Sequence, residues 1–329
     1  MATEGLSGPI YKVHQVPEHF HELFIMGGYR HPKSTAKQCV LSVFDPTNET
    51  LNFWTHFLPS LYFIWVLRDL TETLDFRNDS FTWPLLMYMF ACCIFPLASA
   101  TAHTFNTMSY HARHICFFLD YAALSLFSLG AALAYKAYVF PHCLQDTFLD
   151  SYFVQIAFIN SILGTTISCE TRFMNPSFFR KILRIGAFAW PYIFDCIPII
   201  MRLLYCDSTE CKLASQLNHG RQFAFAVIAA FLYISHIPER LQPGKFDIIG
   251  HSHQLFHISS ILGVHDQMQG ILLDMQYHQT RKSEVMEDWD FHDINSSLGI
   301  MGTVFFLNIL IITAFSIRLR CTALKDRQD

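Results

Sequence analysis

A chain of 329 residues with 52% hydrophobic, 15% aromatic and only 15% charged side chains departs from soluble composition, in which about a quarter of residues is charged. A mean hydropathy of +0.26 points to lipid as the solvent and excludes a disordered chain, a coiled coil and a small disulfide scaffold. The net charge of −4 and the pI near 6.5 supply no basic footprint, so nucleic acid is excluded as a partner.

Residues 1–50 read as a cytosolic N-terminal segment. They hold no apolar stretch of signal-peptide type, and Glu4 sits where a basic n-region belongs, so the first span is expected to act as its own insertion signal. Residues 14–26, which mix apolar and polar groups around Pro17, read as either a short interfacial helix or a solvated amphipathic cap.

Uncharged or nearly uncharged runs long enough to cross a bilayer core follow in eight places: Leu51–Leu67, Phe81–Phe105, His114–Tyr135, Ser151–Cys169, Ile185–Met201, Gln222–Pro238, His253–Met275 and Asn295–Ile317. The fold class is therefore all-α, a polytopic membrane helix bundle over residues 51–317 with a short tail at 318–329. The seventh run is the weakest, because His253, His257, Asp266 and Asp274 permit a crossing only if they face protein or water. Lys and Arg set the orientation: with the N-terminus inside and eight crossings, 15 of the 23 basic residues lie inside and 8 outside. Were the last run not to cross, the count would become 11 against 12 and the bias would vanish. Both termini are thus expected in the cytosol.

Cys206 and Cys211 share one external loop and Cys143 lies in another, where oxidation is permitted. Cys321, just past the last span, suits palmitoylation or remains a free thiol. Of three glycosylation sequons, Asn48-Glu49-Thr50 falls inside by this topology, whereas Asn78-Asp79-Ser80 and Asn295-Ser296-Ser297 fall outside.

Ionisable groups within spans are costly and usually functional. His103 lies near the inner end of the second span, Asp120 about two turns into the third from the same side, and His253 and His257 open the seventh. Three imidazoles and a carboxylate thus share one layer near the inner leaflet. The i, i+4 spacing of His253 and His257 puts both rings on one helix face, although 17 His residues make one such pair unsurprising by itself. Three His with an open fourth position suit tetrahedral Zn2+. Asp120 could bind the metal or hold its water, and Ser99, one turn before His103, could support the site. The competing expectation is a polar layer of hydrogen-bonded imidazoles. Asp195 and Asp266 lie deeper and read as interhelical contacts or the lining of an outer cavity. Pro96, Pro191, Pro198 and Pro238 are expected to kink their helices and open space between spans.

The chain resembles the progestin and adipoQ receptor (PAQR) family, in its membrane progestin receptor branch of the gamma/delta type, from about Val16 to Ile317. The matching motifs are Gly28-Tyr29-Arg30, Asn48-Glu49-Thr50-Leu51-Asn52-Phe53-Trp54-Thr55-His56, Ser99-x-x-x-His103, Phe117-Phe118-Leu119-Asp120-Tyr121, His236-Ile237-Pro238-Glu239-Arg240-Leu241 and Gly250-His251-Ser252-His253-Gln254-Leu255-Phe256-His257. The resemblance implies a seven-helix core, here with an eighth crossing, and a zinc ion held by His103, His253 and His257 with Asp120 reaching it through water. It implies a plasma-membrane receptor for progestins, giving rapid non-nuclear signalling through G proteins on the cytosolic face. The expected ligand is a steroid or other lipid, for which Phe118, Tyr121, Trp190 and Tyr192 are available aromatics. The alternative it implies is a zinc-dependent intramembrane lipid amidase of ceramidase type, in which Asp120 acts as general base and Ser99 assists.

Overall fold

The computed structural model describes residues 3–205, 214–280 and 297–325. The bridge expected between Cys206 and Cys211 lies outside the described residues, as do Asn295 and Ser296 of the third sequon.

A short antiparallel ribbon of β1 (Thr3–Gly5) and β2 (Gly8–Ile10) opens the chain. It is tied down by Asp45, which accepts from the Leu6 and Ser7 amides at 2.6 and 2.8 Å. Over residues 14–26 the chain forms no α-helix. It makes two single 3-10 turns, Val13–Gln15 and Glu18–Phe20, on either side of Pro17, whose fixed φ and missing N–H interrupt any helix. Val16, Phe20, Ile25 and Tyr29 bury together beneath these turns, so the segment is a folded lid with its own small core.

After α1 (Ala36–Leu41) come the long helices α2 (Thr50–Thr73), α3 (Trp83–Phe105), α4 (Tyr110–Tyr138) and α5 (Phe148–Glu170). Then follow α6 (Phe178–Asp195), α7 (Ile197–Tyr205), α8 (Ser215–Ser235), α9 (Ser252–Thr280) and α10 (Leu298–Lys325). Their starts are written in the sequence. Ser109, Thr147 and Ser177 each accept from a backbone amide three residues on, satisfying donors that the first helical turn leaves unpaired.

Among the described residues, α3, α4, α5 and α10 are long and apolar enough to cross a membrane, and α6 with α7 makes a fifth if taken as one broken span. The other three, α2, α8 and α9, have at least 21 residues each and hence spanning length, but carry more polar groups. The expected fifth span is the broken one: α6 and α7 meet at 49° around Cys196. Pro198 has no N–H to return to the carbonyl of Phe194, and the ladder parts there.

In the bundle α8 packs on α9, α9 on α2, α2 on α3, α3 on α4, α4 on α5 and α5 on α6. The central core joins Phe63, Tyr88, Met89, Tyr135, Met268 and Ile271. A second cluster, with Leu129, Leu133, Phe153, Phe194 and Val304, receives α10, which lies outside α3, α4 and α5. Little of α10 is buried, and Phe305, Phe306, Ile309 and Leu310 point outward, as a lipid-facing helix requires.

Candidate functional site

The sequence motifs meet beneath the N-terminal lid, and each has a structural task there. Gly28 adopts φ +83°, and a Cβ on it would stand 2.9 Å from the Asn48 amide nitrogen, so only glycine lets this turn lie against the start of α2. Arg30, two residues on and buried, caps the end of α3. It donates to the carbonyls of His103 and Thr104 at 2.6 Å each and to Asn106 Oδ1 at 2.7 Å, where unpaired carbonyls and the helix dipole favour a cation. Glu239 accepts from the Ser252 amide at 2.7 Å and from its hydroxyl, which fixes the first turn of α9. His251 donates to the Asn48 carbonyl at 3.1 Å and ties that turn to α2.

These anchors bring together three imidazoles distant in sequence. One ring nitrogen from each of His103, His253 and His257 lies within 4.8 Å of the other two, and the ring centroids are 4.4–5.2 Å apart. His103 Nδ1 donates to Glu49 Oε2 at 2.6 Å. Glu49 also accepts from Asn52 at 2.8 Å and Asn106 at 2.7 Å. Burial alone would raise the Glu49 carboxyl, but His103, Arg30 and these hydrogen bonds hold it well below the usual carboxylate range. His257 Nδ1 lies 3.1 Å from Thr55 Oγ1, whose own proton goes to the Leu51 carbonyl at 2.6 Å. Thr55 therefore accepts from His257.

The consequence is a fixed tautomer on both rings. With Nδ1 as the donor, neutral His103 and His257 keep their lone pairs on Nε2. His103 Nε2 and His253 Nε2 then face one another at 3.4 Å, close to the edge of about 3.3 Å in a tetrahedron whose Zn–N bonds are 2.0–2.1 Å. A carboxylate and a hydroxyl orienting the far nitrogens of ligand histidines is the usual support of a metal site. The residues present therefore fit a zinc ion.

The other expected site residues sit less tightly. Asp120 on α4 is half-buried and hydrogen-bonds none of the three imidazoles, although it lies near enough to His103 to interact electrostatically. Ser99 is buried one turn before His103 and likewise bonds none of them. Asp266 meets Arg221 of α8 at 3.2 Å, an interhelical contact. Of the four aromatics, Phe118 is core, stacked on Phe173; Trp190 is 60% exposed; Tyr121 is half-buried; and Tyr192 lines a cavity with Asp195. Asn48 is buried, which leaves no room for a glycan, whereas Asn78 is exposed.

Three further site residues carried no role in the sequence. Glu49 and Thr55 orient two of the rings. His56 stacks on His257 with centroids 3.7 Å apart and has both ring nitrogens buried without a partner. All three fall within the run Asn48–His56, which was legible as a motif but not as neighbours of residues 54 to about 200 positions away.

Comparison with known proteins agrees with this architecture. Residues 44–268 match the family described as Haemolysin-III related. The chain is 46% identical to human membrane progestin receptor delta, covering 93% of this chain and 90% of that one. It is 44% identical to human membrane progestin receptor gamma, with 93% of each covered, and 43% identical to membrane progestin receptor gamma-B of Danio rerio, with 94% of each covered.

Proposed function

The chain belongs to the haemolysin-III-related (PAQR) family and is a multi-pass membrane protein; on that premise we propose that it is a plasma-membrane progestin receptor with a zinc site near its cytosolic face. The steroid class is supported by the names of relatives that cover more than nine-tenths of this chain, all membrane progestin receptors. The zinc site is supported by one observation above all, the convergence of His103, His253 and His257 with two far nitrogens already held. These three rings are the ligands in our assignment, and Asp120 is the carboxylate that reaches the metal through a water. Residues 1–50 and 318–329 lie in the cytosol, and 51–317 form the bundle. Signalling passes rapidly, without the nucleus, to a G protein at the cytosolic face.

The protein's own contribution at the site is positioning. Arg30 and Glu49 fix the end of α3 and its imidazole, Glu239 and His251 fix the start of α9, and Thr55 sets the His257 tautomer. Three imidazoles rather than four favour a second reading, that of a lipid amidase, since a structural zinc site is usually closed by four protein ligands. When bound, zinc supplies Lewis acidity toward a carbonyl oxygen. In that reading Asp120 moves the proton and Ser99 supports it.

One pair of assays separates the readings: progestogen binding and ceramide turnover on purified wild type and His253→Ala. The receptor reading expects saturable progestogen binding by wild type and no ceramide turnover. Turnover that disappears in His253→Ala, with steroid binding equal in both, overturns it in favour of the enzyme. Wild type purified without zinc, and unable to take it up, overturns the metal site.

A further inference from the structure

Deeper in the bundle than the imidazole layer lies a cavity of about 170 Å³ between α4, α5, α6 and α9. Its wall includes Ser125 and Ser128, five and eight residues past Asp120 on α4, and Gln267, ten residues past His257 on α9. At 1.5 Å per helical residue these lie about 8–15 Å farther along the axis. The cavity therefore occupies a different depth from the metal layer. It exists because α6 ends at Asp195: the break before Pro198 turns α7 away by 49°.

Most of the wall is apolar or already satisfied. Ser161 donates to the Ser125 carbonyl at 2.8 Å, and Gln267 is held between Tyr88 and Tyr135. Two polar atoms are different. Asp195 is 3% exposed. Its Oδ2 accepts from the Ser128 hydroxyl, while its Oδ1 is buried without a partner, and so is Ser125 Oγ. A lone buried acceptor costs about 1–3 kcal/mol, a cost that a hydrogen-bonding guest in the cavity would remove.

We propose that this cavity is a ligand subsite for the hydroxyl-bearing ring of an apolar lipid. A hydroxyl donates one hydrogen bond and accepts others. It can therefore pair with Asp195 Oδ1 as donor or acceptor and accept from Ser125 Oγ, whereas a ketone can only accept. The volume suits one ring, since a cavity of about 150 Å³ accommodates benzene. The rest of a longer lipid extends beyond it. That the lipid is a steroid rests on the receptor reading above; the hydroxyl chemistry rests on Asp195 and Ser125.

The test uses the full-length protein in nanodiscs, with Asp195→Asn and Ser125→Ala as variants and zinc content as the measure of an intact bundle. Two probe pairs are compared: cyclohexanol against cyclohexanone by thermal stabilisation, and a ring-hydroxylated steroid against its ring ketone by equilibrium binding. Wild type is expected to be stabilised saturably by cyclohexanol, with Asp195→Asn weakening the alcohol about tenfold or more and the ketone less than twofold. Ser125→Ala is expected to weaken both. Absence of saturable stabilisation by cyclohexanol in wild type overturns the subsite, as does an equal shift of alcohol and ketone in Asp195→Asn. If the one-ring alcohol behaves as expected but neither steroid binds wild type, the subsite stands and the receptor reading falls.

Discussion

Two histidine–carboxylate pairs lie buried at different levels of the bundle. His103 pairs with Glu49 at 2.6 Å, and His219 with Asp274 at 2.9 Å. Around Asp274 every direction is filled. Arg202 donates twice, at 2.8 and 2.9 Å, and Ser215 adds a further hydrogen bond. The remaining nitrogen of His219 is boxed in by Gly270, where even a Cβ would come within 2.9 Å of it. Around His103 the far nitrogen instead looks at two other imidazoles. A closed network of this kind locks α7, α8 and α9 together, its spare His219 nitrogen walled off by Gly270, whereas the open one turns its lone pairs toward one another. Burial, a charge partner and an unpaired ring nitrogen are common to both; what distinguishes a site is whether that lone pair faces other ligand groups, as at His103, or backbone, as at His219 beside Gly270.

The strongest way to break this contrast is to remove a ring from the open cluster. His103→Ala is expected to abolish stoichiometric zinc, measured by elemental analysis of the purified protein, while the chain remains folded because the lid and Arg30 still cap α3 through backbone carbonyls. Retention of one zinc per chain would remove His103 from the ligand set.

At the closed network the expected effect is on stability. Asp274→Ala strands the Arg202 guanidinium, which is 4% exposed, and breaking a buried pair costs roughly 3–5 kcal/mol. Thermal unfolding in detergent should fall accordingly, with zinc content per folded chain unchanged. Loss of zinc without loss of stability would reverse the roles given to the two pairs.

Between these lies Glu49→Gln, which preserves the shape and much of the hydrogen bonding but removes the charge behind His103. Losing such a supporting group typically costs about 10–100-fold in metal affinity. Competition with a chelator reads this directly. An unchanged zinc affinity would make Glu49 a structural cap and nothing more.

How much of this was visible beforehand depended on the dimension involved. Depth along a helix is one-dimensional, so His103, His253 and His257 could be placed in one layer from run boundaries and span direction, and the third run, His114–Tyr135, falls wholly within α4 (Tyr110–Tyr138). Azimuth and fold-back were not legible. Glu49 lies outside any span, and only the packing of α2 on α3 brings it to a ring 54 residues away. Hydropathy continued span five straight through Cys196, because Ile197, Ile199 and Ile200 are as apolar as the residues before the break, and Pro198 alone signalled the kink found there. Of the two readings of residues 14–26, the helix fails for a local reason, Pro17, and the small core of Val16, Phe20, Ile25 and Tyr29 follows no helical period.

The smallest effect is expected at the bundle's edge, where the charge serves direction rather than strength. Arg318 near the end of α10 pairs with Glu170 of α5, both about half exposed, and its guanidinium stands 4.4 Å from the centre of the Phe173 ring. Exposed pairs are worth about 0–1 kcal/mol because water screens the attraction and ordering two long side chains costs entropy. Arg318→Gln should therefore shift thermal unfolding by no more than that. Orientation responds to the sum of basic residues flanking the spans, and α10 is already held by its apolar face against α3, α4 and α5. A single substitution should leave a C-terminal tag inaccessible from outside intact cells, whereas neutralising Arg318, Arg320, Lys325 and Arg327 together removes the charge bias that distinguished eight crossings from seven. A tag exposed on the surface of wild-type cells would refute the eighth crossing and, with it, the cytosolic assignment of the tail.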